Sequence, residues 1–227
     1  MQSAGRHARE RLRDLWYRAR YAGLPPHLRL VRQYSLLSDF HLLYMEELCR
    51  RVRDEAIPGD LVECGVYRGG SAGILGLEAM RSPDRRLWLF DAFAGMPAAG
   101  VRDDAGAATI ATGFVGSEAD TRRVLERLGI PPERYTLVVG WLEETLPKLE
   151  KPPVALLHVD TDFHDPVRLA LEQVDPPVSP GGYVVLNDYG AFEGCRHATD
   201  EFLAEHEPGA ELIAMDAIAS YFRKPGG

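Results

Sequence analysis

ELIAMDAIASYFRK, residues 211–224, holds two short apolar runs, ELIAM and IASYFRK, that face each other across Asp216 and Ala217 with no room for a helix between them. Two strands joined so closely must run antiparallel, because parallel neighbours need a crossover of a dozen or more residues. Upstream the chain is built the other way. Short apolar runs DLVECG (60–65), RLWLFD (86–91), YTLVVG (135–140), VALLHVD (154–160) and GYVVLND (182–188) are separated by stretches of helical period. These helices are expected from about Ser71, near 118–129, near 143–149, from about Pro166 to Val174 and near 194–206. Five strands alternating with helices and then closed by a hairpin predict an α/β fold. Its seven-stranded, mostly parallel sheet would contain one antiparallel strand.

Before the first strand, GLPP (23–26) reads as a helix stop. SLLSDFHLLYMEELCRRVRDEA (35–56) then reads as a core-facing helix with its apolar stripe at Phe40, Leu43, Tyr44, Leu48 and Val52. Residues 1–57 are thus expected to form a helical lid or oligomerisation segment, and residues 58–227 the sheet domain. The one long irregular connection, Ala92–Ser117, is too long for a plain connector and reads as a lid.

The chain has 227 residues, enough for one domain with a sizeable core. Its formal net charge of -8 argues against a nucleic-acid partner. Cys49, Cys64 and Cys195 are far apart and lack metal-ligand spacing, which fits a reducing compartment and a cytoplasmic location. No apolar run is long enough for a membrane span. The first 32 residues carry eight arginines, and Leu12, Leu15, Trp16 and Ala19 would share one helical stripe. That stripe suits either a membrane-surface or targeting helix or a surface helix packed on the domain or on a second subunit of a homo-oligomer.

The strand ends carry the chemistry. VECGVYRGGS (62–71) sets Glu63 at the end of the first strand, then Gly65, Gly69 and Gly70 in the turn, then Ser71 at an expected helix N-cap. The spacing is neither GxGxxG nor a P-loop. Alone, such a turn is as well explained by tight geometry as by a ligand. Asp91 ends the neighbouring strand, where a carboxylate can hold two ribose hydroxyls or simply cap a helix. Together these residues describe a nucleoside-binding edge at the switch point of an open sheet. Gly140 and Trp141 close the third strand, within reach of a base, although an aromatic there is also a common core residue. The fourth strand runs into Asp160, Asp162, His164 and Asp165, and the fifth into Asn187 and Asp188. Capping and solvation compete with metal binding as explanations for these acids.

In order, GDLVECGVYRGGS, LFDAFAGMP, GWLEETLP, HVDTDFHDP and LNDYGAFEGCRHATDEF resemble the macrocin O-methyltransferase family, over about Tyr34 to Arg223. The resemblance implies a Rossmann-like class I fold for S-adenosylmethionine (SAM) methyltransferases, whose domains end in the closing hairpin seen here. It implies SAM as cofactor, held by Glu63, Gly65, Tyr67, Arg68, Gly70, Ser71, Asp91, Gly140, Trp141 and Asp160. It also implies a divalent ion, Mg2+, on Asp160, Asn187 and Asp188, with Asp162 as the base and His164 as a second candidate. The chain departs from the family at Asn187, where an aspartate is usual, so the ion site loses one negative charge and its affinity is weakened. The expected acceptor is a hydroxyl of a small glycosylated or hydroxylated natural product. Three other readings stand beside this one: a metal-free methyltransferase, a SAM-binding module without turnover, and a nicotinamide-dependent oxidoreductase. The last is disfavoured by the missing GxGxxG and by the hairpin.

Overall fold

A computed structural model describes residues 23–104, 106, 109, 113–148 and 152–226. The arginine-rich helix expected before Gly23 lies outside the described residues. Pro25 and Pro26 begin a helix. In α1 (Pro26–Val31) Pro25 is the N-cap and Pro26 sits in the first turn, where the missing N–H has no intrahelical partner to lose. α2 (Asp39–Asp54) opens at Ser38, whose hydroxyl accepts the His41 N–H at 3.1 Å. Its buried face is His41, Leu42, Met45, Leu48, Cys49 and Val52, offset from the expected stripe. Phe40 and Tyr44 stay at the rim instead, their rings 5.8 Å apart, and the Tyr44 hydroxyl reaches Tyr221. Rings with a polar tip are suited to such an edge.

The parallel strands are β1 (Asp60–Cys64), β2 (Leu87–Asp91), β3 (Tyr135–Val139), β4 (Val154–Val159) and β5 (Val178–Leu186). Between and after them lie α3 (Gly70–Arg81), α4 (Glu118–Arg127), α5 (Leu142–Thr145), α6 (His164–Val174) and α7 (Glu193–His206). Helix α5 is shorter than expected and continues as the 3-10 turn Leu146–Lys148, because Pro147 interrupts the hydrogen-bond ladder. Helix α6 starts two residues before Pro166, which its first turn tolerates.

The sheet closes with β6 (Ile213–Ala214) and β7 (Ser220–Arg223). The hairpin is present, but not across two residues. Asp216 Oδ1 accepts the Ile218 and Ala219 amides at 2.7 and 3.0 Å, and Met215 N–H bonds Ala219 O at 2.9 Å, so the turn absorbs Met215–Ala219 and shortens β6. Strand order is β3-β2-β1-β4-β5-β7-β6, with β7 alone antiparallel.

Alternation along the strands divides the core in two. Leu61 and Leu89 face α1 to α4, with Leu28, Val31, Met45, Leu48 and Leu125, so residues 28–52 share the core of the sheet. Val62, Cys64, Leu157 and Val159 face α5 to α7. The chain leaves β1 for β2 and β3 on one side and returns to β4 on the other. The crevice at the carboxyl ends of β1 and β4 is therefore the place where such sheets bind ligands.

Candidate active site

A cavity of about 1200 Å³ opens at that crevice. One end is built by the turn after β1. Gly65 has φ +87°, and a Cβ there would fall 1.9 Å from Asp160 O, so no other residue lets β1 and β4 approach so closely. Gly69, not Ser71, is the N-cap of α3, with φ +90° and no side-chain cap. Asp91 has a definite occupation: Oδ2 accepts the Val66 and Tyr67 amides at 2.7 and 2.8 Å, and Oδ1 the Phe93 amide at 2.6 Å. It therefore holds the turn in shape, and about one acceptor position remains for a ligand. Gly65, Tyr67, Gly70, Ser71, Asp91, Trp141 and Asp160 all line the cavity. Gly140, at φ +144°, positions Trp141 by bonding its N–H to Asp91 O at 3.0 Å.

Gly140 itself does not line the cavity, and three more expected site residues are not brought into it. Glu63 is fully buried on the α1–α4 side of β1, directly opposite His158 in β4, and Oε1 lies 2.9 Å from His158 Nδ1. Alternation decides this, since Glu63 shares its face with Leu61. Arg68 turns away, its Nε on Asp120 at 2.7 Å and its guanidinium over Tyr34. His164 is buried on the outer side of α6. Its Nδ1 is 2.8 Å from Asp165, while Nε2 is 3.1 Å from Glu201 and 3.0 Å from Arg102.

The other end is acidic. Asp160 and Asn187 continue adjacent strands, and carboxylate oxygens of Asp160, Asp162 and Asp188 lie within 4.8 Å of one another. Asn187 Nδ2 donates to Asp160 Oδ1 at 2.9 Å and to Asp188 Oδ2 at 3.3 Å. Asp162 reaches the cluster through a strained turn: φ is +58°, and Phe163 N–H bonds Thr161 O at 2.6 Å, enclosing Asp162 alone. Burial, then Asp188 and Asp162, push the Asp160 carboxyl well above its usual range. Burial, then Asp188, raise Asp162 to about 8. Three hard oxygen donors this close fit a divalent cation. Asn187 would join such a set by turning its amide to present Oδ1.

Some cavity residues had no clear sequence signal. His41 lines the cavity with Nε2 3.0 Å from Asp216 Oδ2, and Asp216 comes from the hairpin turn. The Ser38 cap fixes where α2 begins and so which face His41 takes. In the 92–117 segment, Asp103 accepts the His164 N–H of α6 at 2.7 Å, and Asp104 accepts the Glu193 N–H of α7 at 2.9 Å. Ser117 N–H bonds Tyr67 O at 2.8 Å at the segment's far end.

Comparison with known proteins follows the same lines. The chain is 31% identical over 176 residues, 74% of its length and 67% of the relative's, to the 8-demethyl-8-(2,3-dimethoxy-alpha-L-rhamnosyl)-tetracenomycin-C 4'-O-methyltransferase of Streptomyces olivaceus. Its fold matches the O-methyltransferase NovP with a TM-score of 0.77 at 30% identity, covering 85% of this chain and 82% of that one. It also matches CalS11, a TDP-rhamnose 3'-O-methyltransferase of calicheamicin biosynthesis, with a TM-score of 0.60 at 25% identity over 81% and 78% of the two chains. The macrocin O-methyltransferase (TylF) profile spans residues 31–224. With that profile covering most of the chain, the chain belongs to the macrocin O-methyltransferase family of SAM-dependent O-methyltransferases.

Proposed function

We propose that this enzyme methylates a sugar hydroxyl of a natural product, with a divalent ion held by Asp160 and Asp188 and by Asn187 through its carbonyl oxygen. The observation that carries the reading is the cluster of three carboxylates facing the glycine turn across one cavity. Gly65, Gly70, Asp91 and Trp141 would hold SAM, which when bound would supply an electrophilic methyl group, and the acidic end would hold the acceptor hydroxyl. The methyl group would pass to the hydroxyl oxygen as the S–CH3 bond breaks with its electrons left on sulfur. The hydroxyl proton passes to Asp162, whose carboxyl is made more basic by burial and by Asp188, which suits a general base. A bound divalent ion supplies Lewis acidity, lowering the pKa of a hydroxyl beside it. The aromatic rings of Phe163 and Phe192, edge to face at 6.4 Å, exclude water from the acidic end.

The roles separate experimentally. Asp162→Asn should retain SAM binding by calorimetry while methyl transfer, followed by mass spectrometry over a panel of glycosides, falls at least 100-fold. Chelation should slow the same reaction and added Mg2+ restore it. Full turnover in chelator would remove the ion from the proposal, and full turnover of Asp162→Asn would remove the base.

A further inference from the structure

We infer that Glu63 and His158 are a positioning pair, which ties the cofactor turn after β1 to the acidic end of β4 so that cofactor and divalent ion each bind more tightly when the other is present. Both ligand sites are those of the reading proposed above, on which this rests. The two residues themselves lie outside the cavity and take no part in the chemistry described so far.

The pair is a poor stabilising device. Both side chains are fully buried, and a single contact joins them, Glu63 Oε1 to His158 Nδ1 at 2.9 Å. Glu63 Oε2 and His158 Nε2 have no hydrogen-bond partner among the described residues. Unpaired buried polar atoms cost free energy, and a well-packed apolar pair is often at least as stable as a buried ionisable one. Two residues earlier on the same strands, Leu61 and Leu156 face each other in that way. What the polar pair adds is direction. A hydrogen bond constrains distance and angle, whereas apolar contact is non-directional.

Its position is the one where such a constraint matters. Two residues beyond the pair, β1 has reached Gly65 and β4 has reached Asp160. No side chain separates them: Asp160 N–H bonds Cys64 O at 2.8 Å, and a Cβ on Gly65 would fall 1.9 Å from Asp160 O. Gly65 N–H bonds Phe90 O at 2.9 Å and Asn187 N–H bonds Val159 O at 2.9 Å, so the strand ends from β2 to β5 form one bonded row. A ligand that settles the glycine turn therefore settles the Asp160 backbone, and an ion that draws on Asp160 acts on the turn. Glu63 also reaches the acidic cluster by charge. After burial, Asp188 and Asp162, it too pushes the Asp160 carboxyl upward, and a cation on Asp160 relieves that repulsion.

Calorimetric titration of S-adenosylhomocysteine into the full chain, in chelator and in millimolar Mg2+, tests the tie. The parent should bind S-adenosylhomocysteine about fivefold or more tightly with the ion, and by reciprocity Mg2+ should gain the same factor from S-adenosylhomocysteine. In Glu63→Leu with His158→Leu, which extends the Leu61–Leu156 packing, Tm in chelator should hold or rise and each ligand alone should still bind, while the coupling falls below about twofold. A merely structural role would move Tm and the separate affinities instead. If that double variant does not fold, Glu63→Gln with His158→Phe, which keeps an amide and a ring in the two places and breaks their bond, takes its place. Glu63→Gln alone keeps the bond to His158 without the charge and should stay coupled by about threefold or more. Equal S-adenosylhomocysteine affinity of the parent in both media, full coupling in the bond-breaking variant, or its loss in Glu63→Gln alone would overturn the inference. Failure of the parent to bind Mg2+ in its own titration would instead strike the ion reading beneath it, and failure to bind S-adenosylhomocysteine the cofactor reading.

Discussion

Replacing Asn187 by Asp should make the ion-free protein less stable and the ion-bound protein more so. In the structure Asn187 Nδ2 donates to two carboxylates, Asp160 at 2.9 Å and Asp188 at 3.3 Å. Asn187→Asp turns both hydrogen bonds into contacts between like charges. Hydrogen bonds to charged groups are worth about 1.5–3 kcal/mol each, and an added charge 3 Å from another costs about 5 kcal/mol at an effective dielectric of 20. The new carboxyl can avoid that cost by keeping its proton. Holding a group of ordinary pKa near 3.9 protonated at pH 7 costs about 4 kcal/mol, which sets a ceiling on the repulsion. A net loss of roughly 2–4 kcal/mol follows, or about 5–15 °C in Tm for a chain of this size. Thermal melts in chelator measure it directly. The deficit should shrink as pH falls toward 5, where the proton costs less, and should shrink or reverse in millimolar Mg2+. A variant that melts within 2 °C of the parent in chelator, and responds to Mg2+ no more than the parent does, would refute the picture of Asn187 as a neutral bridge between acids.

Gly65→Ala should cost roughly 2–5 kcal/mol, combining a left-handed φ with a Cβ driven into Asp160 O, and should lower methyl transfer further by displacing Asp160; a variant with normal Tm and rate would contradict the close approach. Asp91→Ala leaves three turn amides without their acceptor, so SAM affinity should fall at least tenfold and amide exchange at 66–67 should rise; unchanged affinity by calorimetry would deny that the turn needs Asp91. The pH dependence has a definite sign. Asp162 keeps its proton up to about 8 in the folded chain but only to its ordinary value near 3.8 when unfolded, so the ion-free protein should lose stability as pH rises through that interval and level off above it. Saturating Mg2+ should flatten that slope, and a slope unaffected by the ion would separate Asp162 from the site.

The order of elements was legible because helix and strand periods alternate without ambiguity and because the tail leaves no space for a crossover. The glycine turn, Asp91 and the acids after β4 and β5 were legible for a related reason: strand ends at the switch point must meet. Glu63 lies outside the cavity because of its face on the strand, which its position along the strand does not show. Its parity with Leu61 and its register with His158 bury it. The placement of Arg68 and His164 outside the cavity was not legible because the partners that hold them, Asp120 in one case and Arg102 with Glu201 in the other, are distant in sequence. The offset of the α2 stripe has a local cause, the Ser38 cap. His41 with Asp216 could not be foreseen, since α2 and the hairpin turn meet only in the folded chain.

The turn at Asp162 has a consequence for anyone who evolves this protein for robustness. Its φ of +58° is a conformation that glycine adopts freely and asparagine tolerates, whereas aspartate is held there by the surrounding chain, with a partly protonated carboxyl among other acids. Asp162→Gly therefore relaxes the backbone and removes a crowded charge in a single nucleotide change. A library selected on heat survival alone should enrich glycine at 162, and the most durable clones would be those that have discarded the carboxylate proposed as the base. Selection on product would hold the strained residue in place, so the two regimes should diverge first at this codon.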